Sequence, residues 1–281
     1  MGSTSVVSRP SSVVFLKLGG SLITDKNTPR TSRPEVLARL MAEIAEACAA
    51  RPDMRLVLGH GSGSFGHVEA KKYGTRNGVR TAEEWRGFAE VQAVAGLLNR
   101  LVADAARERG LPVVNFPPSA SAICRDGVIR SFAVEPIRAA LAHGLVPLVF
   151  GDVAVDEARG GTILSTEDVF RYLAEQLQPE HILLAGIEAG VLTRWPDGEV
   201  IPKITPVGAG LAPALEHVGG SHAADVTGGM ASKVREMLAL AAEAPGMEIR
   251  IFSGEAPGLV RATLLGETRP GTMIRGMKVE G

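Results

Sequence analysis

Six short apolar runs recur along the chain, and each is separated from the next by a stretch whose apolar residues fall three and four apart. The runs are VVFLKL (13–18), MRLVLG (54–59), PVVNF (112–116), GLVPLVFGDV (144–153), EHILLAG (180–186) and MEIRIFSG (247–254). They are β-branched and apolar on both sides of the pleat, which suits strands covered on two faces. The intervening stretches predict helices over 35–50, 83–109, 134–143 and 167–177, and a loop entering a helix over 226–244. In the first, Leu37, Leu40, Met41 and Ile44 lie on one side behind Pro34; in the second, Phe88, Val91, Ala95, Leu98 and Val102 do. GTMIRG (271–276) reads as one further strand. Strands alternating with amphipathic helices predict an α/β layered fold around a mainly parallel sheet.

The 281 residues suffice for one large α/β domain or two small ones. Residues 1–12, MGSTSVVSRPSS, read as a mobile tail without the apolar segment of a secretion signal. A formal charge of −1 with no basic block gives no footing for nucleic acid or an anionic membrane surface, and no run approaches the length of a membrane helix. Cys48 and Cys124 are far apart and outside CxxC spacing, so neither a disulfide framework nor a zinc site is expected; two thiols suit a reducing compartment.

Glycine clusters fall at the ends of these segments: 19–20, 59–66, 160–161, 219–220 and 228–229. Ligands of open parallel sheets bind at the carboxyl ends of strands, so the clusters are informative together. In LKLGGSLITDK (16–26), Lys17 ends a buried strand just before Gly19 and Gly20, where backbone N–H groups can approach an anion beside a point charge. GHGSGSFGH (59–67) extends the same physics. Gly61, Gly63 and Gly66 have dinucleotide-fingerprint spacing, but VEAKKYGTRNG reads as continuing loop rather than helix, and no ribose acid follows. In DVTGGMASK (225–233), Thr227 caps a helix whose first turns hold Gly228, Gly229 and Lys233. Taken singly, each loop is equally read as an ordinary turn beside a solvated lysine.

Taken together, in this order, the chain resembles the amino acid kinase superfamily, and KLGGSLITDK with GSGSFGH most resembles its isopentenyl phosphate kinases. FGDVAVD (150–156), GGTILSTED (160–168), AGIEAGVLT (185–193) and IPKI (201–204) fit the same pattern. Three departures stand out: Ser165-Thr166-Glu167-Asp168 where the family often has SGDD, Gly61-Ser62-Gly63 after His60 where it has GGG, and GIEAGVLT where it has GVDGVYT.

The resemblance implies a three-layer αβα sandwich forming a single domain over 13–281, with an acceptor half (13–178) and a nucleotide half (179–281). It implies ATP-dependent phosphorylation of isopentenyl phosphate, Mg²⁺ riding on the ATP phosphates without a protein metal site, a homodimer and a cytoplasmic setting. By resemblance, Lys17, Lys26 and Lys233 act on the transferring phosphoryl group and the ATP phosphates, and Asp168 orients the lysines. Gly61, Ser62, Gly63, Ser64, Gly66 and His67 hold the acceptor phosphate, with Gly151 and Asp152 near it. Phe88, Val91 and Ala95 wall the hydrocarbon tail, and the small Ala93 and Gly96 leave room for a longer one. Gly19, Gly20, Ser21, Gly186, Gly190, Lys203, Gly228 and Gly229 serve ATP, with Trp195 over the base or simply in a loop; His60 is read as a strand-end residue without a chemical role. A phosphonate kinase of the fosfomycin type, or a non-catalytic nucleotide-binding protein of the same fold, fits these residues as alternatives.

Overall fold

A computed structural model describes residues 12–194, 196–205, 229–244 and 246–276, without the side chains of 67, 68 and 229–233. Residues 1–11 of the expected tail, Trp195, the glycines at 219–220, Thr227 and Gly228 lie outside the described residues, whereas Ser12 is buried and accepts from Arg55 N at 2.9 Å.

The main sheet runs β10 (Lys203–Ile204), β12 (Thr272–Arg275), β11 (Glu248–Ser253), β9 (His181–Gly186), β1 (Val13–Leu18), β2 (Arg55–His60), β6 (Val146–Phe150) and β3 (Val113–Asn115). Every pairing in it is parallel except β11 with β12. Strand parity divides the core in two. Val14, Leu16 and Leu18 point to the face covered by α2 (Pro34–Ala50), α4 (Ala82–Glu108) and α8 (Leu259–Leu264). Phe15 points to the opposite face, covered by α5 (Glu135–Ala142), α6 (Thr166–Leu177) and α7 (Gly229–Glu243). These layers are the expected sandwich.

Two expectations change. The run 144–153 is not one strand: it breaks at Gly151 and continues as β7 (Asp152–Asp156) in a second sheet, ordered β5 (Val128–Ser131), β4 (Ile123–Arg125), β7 and β8 (Gly160–Leu164). A Cβ on Gly151 would sit 3.2 Å from the Leu164 carbonyl oxygen, so the corner is tight. Gly160 and Gly161 accordingly open β8 after a hairpin rather than close a parallel strand; Gly160 takes φ +78°. The stretch taken as loop after Gly66 is helical: α3 (His67–Tyr73) ends on Gly74 at φ +61°. Tertiary contact makes this short helix, because the Tyr73 ring lies where a Cβ on Gly87 of α4 would be.

Candidate active site

Lys17 and Phe15 share a face of β1, so the lysine points toward the α6 layer. It is 6% exposed, and a lysine so deeply placed requires a partner. The partner is Glu167, itself 3% exposed, in the first turn of α6. The helix N-terminus adds to the stabilisation of that carboxylate. Asp168, to which the resemblance gives the task of orienting the lysines, closes a cap through one carboxylate oxygen. Its Oδ2 accepts from Ser165 N (2.7 Å) and Ser165 Oγ (2.8 Å), while Ser165 Oγ accepts from Asp168 N (3.0 Å). That is a capping box closed by an aspartate. The signal was present in STED: the residue three after the N-cap belongs to the cap, and the one before it is left to reach outward.

Parity explains two neighbours. Gly59 stands opposite Lys17, and a Cβ there would lie 2.8 Å from Phe170 and Thr166, so glycine lets α6 approach the sheet. Thr166 Oγ1 donates to the His60 carbonyl at 2.6 Å, fastening the helix start to the end of β2. His60 points the other way, toward α4. Its ring stacks on Phe150 at 5.4 Å, lies 3.1 Å by Nδ1 from the Gly61 carbonyl, and 3.2 Å by Nε2 from Asn99 Nδ2. One neutral tautomer satisfies both bonds: Nδ1–H donates and Nε2 accepts. Burial above all holds its pKa down to about 4, with the Lys17 charge adding to the effect.

Two of the three glycine loops, at 19–20 and 61–66, meet. A Cβ on Gly20, which opens α1 (Gly20–Ile23), would overlap Gly63 N and fall 2.6 Å from Gly63 Cα. A Cβ on Gly61 would lie 2.8 Å from Gly20 N and 3.7 Å from Lys17 Cε. The two loops therefore touch backbone to backbone, with the Lys17 stem beside them. Their amides are not all open to an anion: Gly19 N donates to Ala185 O (2.7 Å), Gly61 N to Leu18 O (2.9 Å), Phe65 N to Ser62 O (3.0 Å) and Ser64 N to Thr24 Oγ1 (3.0 Å). Of the glycine amides of 61–66 expected to cradle a phosphate, that of Gly61 is committed to the Leu18 carbonyl.

Ser21 lies in α1. Gly186 ends β9 beside Gly19, at 3.3 Å from a Cβ placed there. Gly151 lies next to the same cluster, 3.4 Å from Ser62 Oγ by the same measure. Lys26 is exposed on the loop after Thr24, and His67 begins α3. Gly229 and Lys233 belong to α7; their side-chain placement lies outside the description.

Others serve the fold visibly. Asp152 is buried, accepting from Ser119 N (3.0 Å) and Val153 N (2.9 Å), and burial raises its pKa. Gly190 packs against Val200 and Thr272, and Lys203 is exposed on the edge strand β10. On α4, Leu98 belongs to the large core cluster. Val91 instead joins Ala70 and Val153 in a small separate one, with Phe88 and Ile163 packed against it. Ala95 is buried, Gly96 half-buried and Ala93 exposed.

A buried lysine–carboxylate pair at the carboxyl edge of a parallel sheet, between two side-chain-free loops, is suited to holding and neutralising phosphate groups. The family model described as "Amino acid kinase family" matches residues 12–253. An isopentenyl phosphate kinase of Methanothermobacter thermautotrophicus is 36% identical over 94% of this chain and 99% of its own length. One of Haloferax volcanii is 38% identical over 94% and 99%. Among solved structures, one described as "X-ray structures of isopentenyl phosphate kinase" superposes with a TM-score of 0.78 at 32% identity, covering 93% of this chain and 99% of the other. The chain belongs to the amino acid kinase family, and the relatives it matches across nearly all of its length are isopentenyl phosphate kinases.

Proposed function

We propose that this chain transfers the terminal phosphoryl group of ATP to isopentenyl phosphate, giving isopentenyl diphosphate and ADP. The observation that carries the reading is the buried Lys17–Glu167 pair beside the touching glycine loops, in a chain whose full-length relatives bear that activity's name. In the reaction an oxygen of the acceptor monophosphate attacks the γ-phosphorus. The bond to the ADP oxygen breaks and a phosphoanhydride forms. A phosphomonoester is mostly doubly ionised above its second pKa of about 6, so no base need remove a proton.

The obstacle is charge. Two unit charges 4 Å apart repel by about 4 kcal/mol at an effective dielectric of 20, and both substrates carry more than one. Lys17 offsets that charge at the reacting phosphoryl group, and Glu167 fixes where its ammonium sits. Lys26 and Lys233 approach the ATP phosphates from opposite sides. The loop amides of Ser62, Gly63 and Gly66, with His67 at the start of α3, receive the acceptor phosphate. Phe88 and Val91, in the small cluster over β7 and β8, face the hydrocarbon tail. Residues 13–178 supply the acceptor half, and 179–281, including Gly186 and Lys203, the nucleotide half. Mg²⁺ enters as part of the MgATP substrate; among the described residues no group of three or more His, Cys, Asp or Glu is placed to hold a metal. By the same family likeness the enzyme works as a homodimer in the cytoplasm.

The test is ADP release with isopentenyl phosphate, C10 and C15 prenyl monophosphates and fosfomycin. Isopentenyl phosphate is expected to give the highest kcat/KM, and His67→Ala to impair its turnover while ATP still binds. A preference for fosfomycin would assign a phosphonate kinase instead. Turnover of none of them would leave a nucleotide-binding protein.

A further inference from the structure

Lys26 is carried by a loop whose ends are tied together: Thr24 and Ser32 form an antiparallel bridge, and Asp25 N donates to Thr31 O at 2.9 Å. Within it, the Asp25 carboxylate accepts from Asn27 N (2.8 Å) and Thr28 Oγ1 (3.0 Å), which fixes the turn around Lys26. The far side of this loop is stitched to the acceptor loop at one residue, Ser64. Arg30 N donates to Ser64 O (3.2 Å), Thr31 N to Ser64 Oγ (3.4 Å), Ser64 Oγ to Thr31 O (3.3 Å), and Ser64 N to Thr24 Oγ1 (3.0 Å).

Beyond these bonds reaches the Arg30 guanidinium. It donates through Nε to Glu69 Oε1 at 3.1 Å and through Nη2 to the same oxygen. Glu69 lies in the first turn of α3, two residues after His67. Only 7% of Glu69 is exposed, and among the described residues its second oxygen has no hydrogen-bond partner. A carboxylate so enclosed depends on a paired cation, and Arg30 is the one in direct contact. Arg30 meanwhile takes φ +53°, a conformation unfavourable for a residue with a Cβ. The geometry is thus held from outside, by the Ser64 bonds on one side and Glu69 on the other. A merely solubilising arginine needs neither.

We propose that Arg30 and Glu69 form a latch that locks the Lys26 loop to α3 and the acceptor loop, and so act as positioning residues for phosphoryl transfer. The latch sets the separation between the ammonium group of Lys26 and the acceptor phosphate; neither of its members touches substrate. This rests on the roles given above to Lys26 and the acceptor loop.

The test is a double-mutant cycle on kcat/KM for isopentenyl phosphate at saturating ATP, with the melting temperature of each variant recorded. Misplacement of a catalytic group by about an ångström costs up to about a hundredfold. Arg30→Ala is therefore expected to lower kcat/KM between about tenfold and a hundredfold in the parent. In the Lys26→Ala background it is expected to lower it by less than about twofold, the limit of ordinary additivity. Arg30→Lys, which keeps the charge, is expected to recover part of the loss and carries the same cycle should Arg30→Ala not fold. Equal losses in both backgrounds, or no loss in the parent, overturn the latch. If Lys26→Ala itself leaves kcat/KM unchanged, the Lys26 assignment falls and the latch falls with it. If Lys26→Ala impairs turnover while Arg30→Ala does not, the latch alone is wrong.

Discussion

Acidification tests the environment of His60 directly. In the folded chain its imidazole is enclosed between Phe150, the Gly61 carbonyl and Asn99, with its pKa held at about 4; unfolded, it returns to 6.5. Between those two values the unfolded chain binds a proton that the folded chain does not. Stability therefore rises with pH through this window and falls as pH drops through it. Below about pH 4 both states are protonated and the full cost is in place, about 3 kcal/mol at 1.36 kcal/mol per pH unit. The assay is urea unfolding at steps from pH 7 to pH 4, for the parent and for His60→Gln, whose side chain cannot titrate. The parent should lose stability across the window and the variant should lose much less. A ¹H–¹⁵N titration of the ring should show His60 neutral at pH 5.5. A ring that titrates near 6.5, as it would if Asn99 turned its carbonyl oxygen toward Nε2, refutes the reasoning, as does an identical pH slope in parent and variant.

Glu167→Gln and Asp168→Asn separate two adjacent carboxylates. Removing one partner of a buried pair costs about 3–5 kcal/mol, so Glu167→Gln should lower both stability and kcat. Asp168→Asn should weaken only the α6 cap, by about 1 kcal/mol, with a small change in kcat; the reverse order in steady-state kinetics would return the orienting role to Asp168. Gly20→Ala places a methyl group against Gly63 backbone and should cost about 1–3 kcal/mol by thermal unfolding, together with most of the turnover. A variant as active and stable as the parent would show that the two loops are free to part.

Much of the fold was legible because local and global signals agreed. The apolar runs at 13–18, 180–186 and 247–254 became β1, β9 and β11 nearly to the residue, since strands buried on both faces are mostly apolar in every position. Lys17 was legible as a charge stranded at the end of such a run. Other features depended on partners distant in the chain. The break at Gly151 answers to Leu164, and α3 forms because Tyr73 finds Gly87. Gly59 reads as the first glycine of a phosphate loop but exists to admit Phe170 and Thr166. Glu167 does not stand out in the sequence because adjacent acids look alike until a helix draws one of them into its own cap and sends the other across to β1.

The close approach of Gly20 to Gly63 has a consequence for how such an enzyme can diversify. If one loop serves the donor and the other the acceptor, the gap across which the phosphoryl group passes is gauged by peptide planes in contact. That contact itself involves no side chain. Substrate preference can then drift through side chains such as Phe88 and Val91 while the length of the jump stays constant.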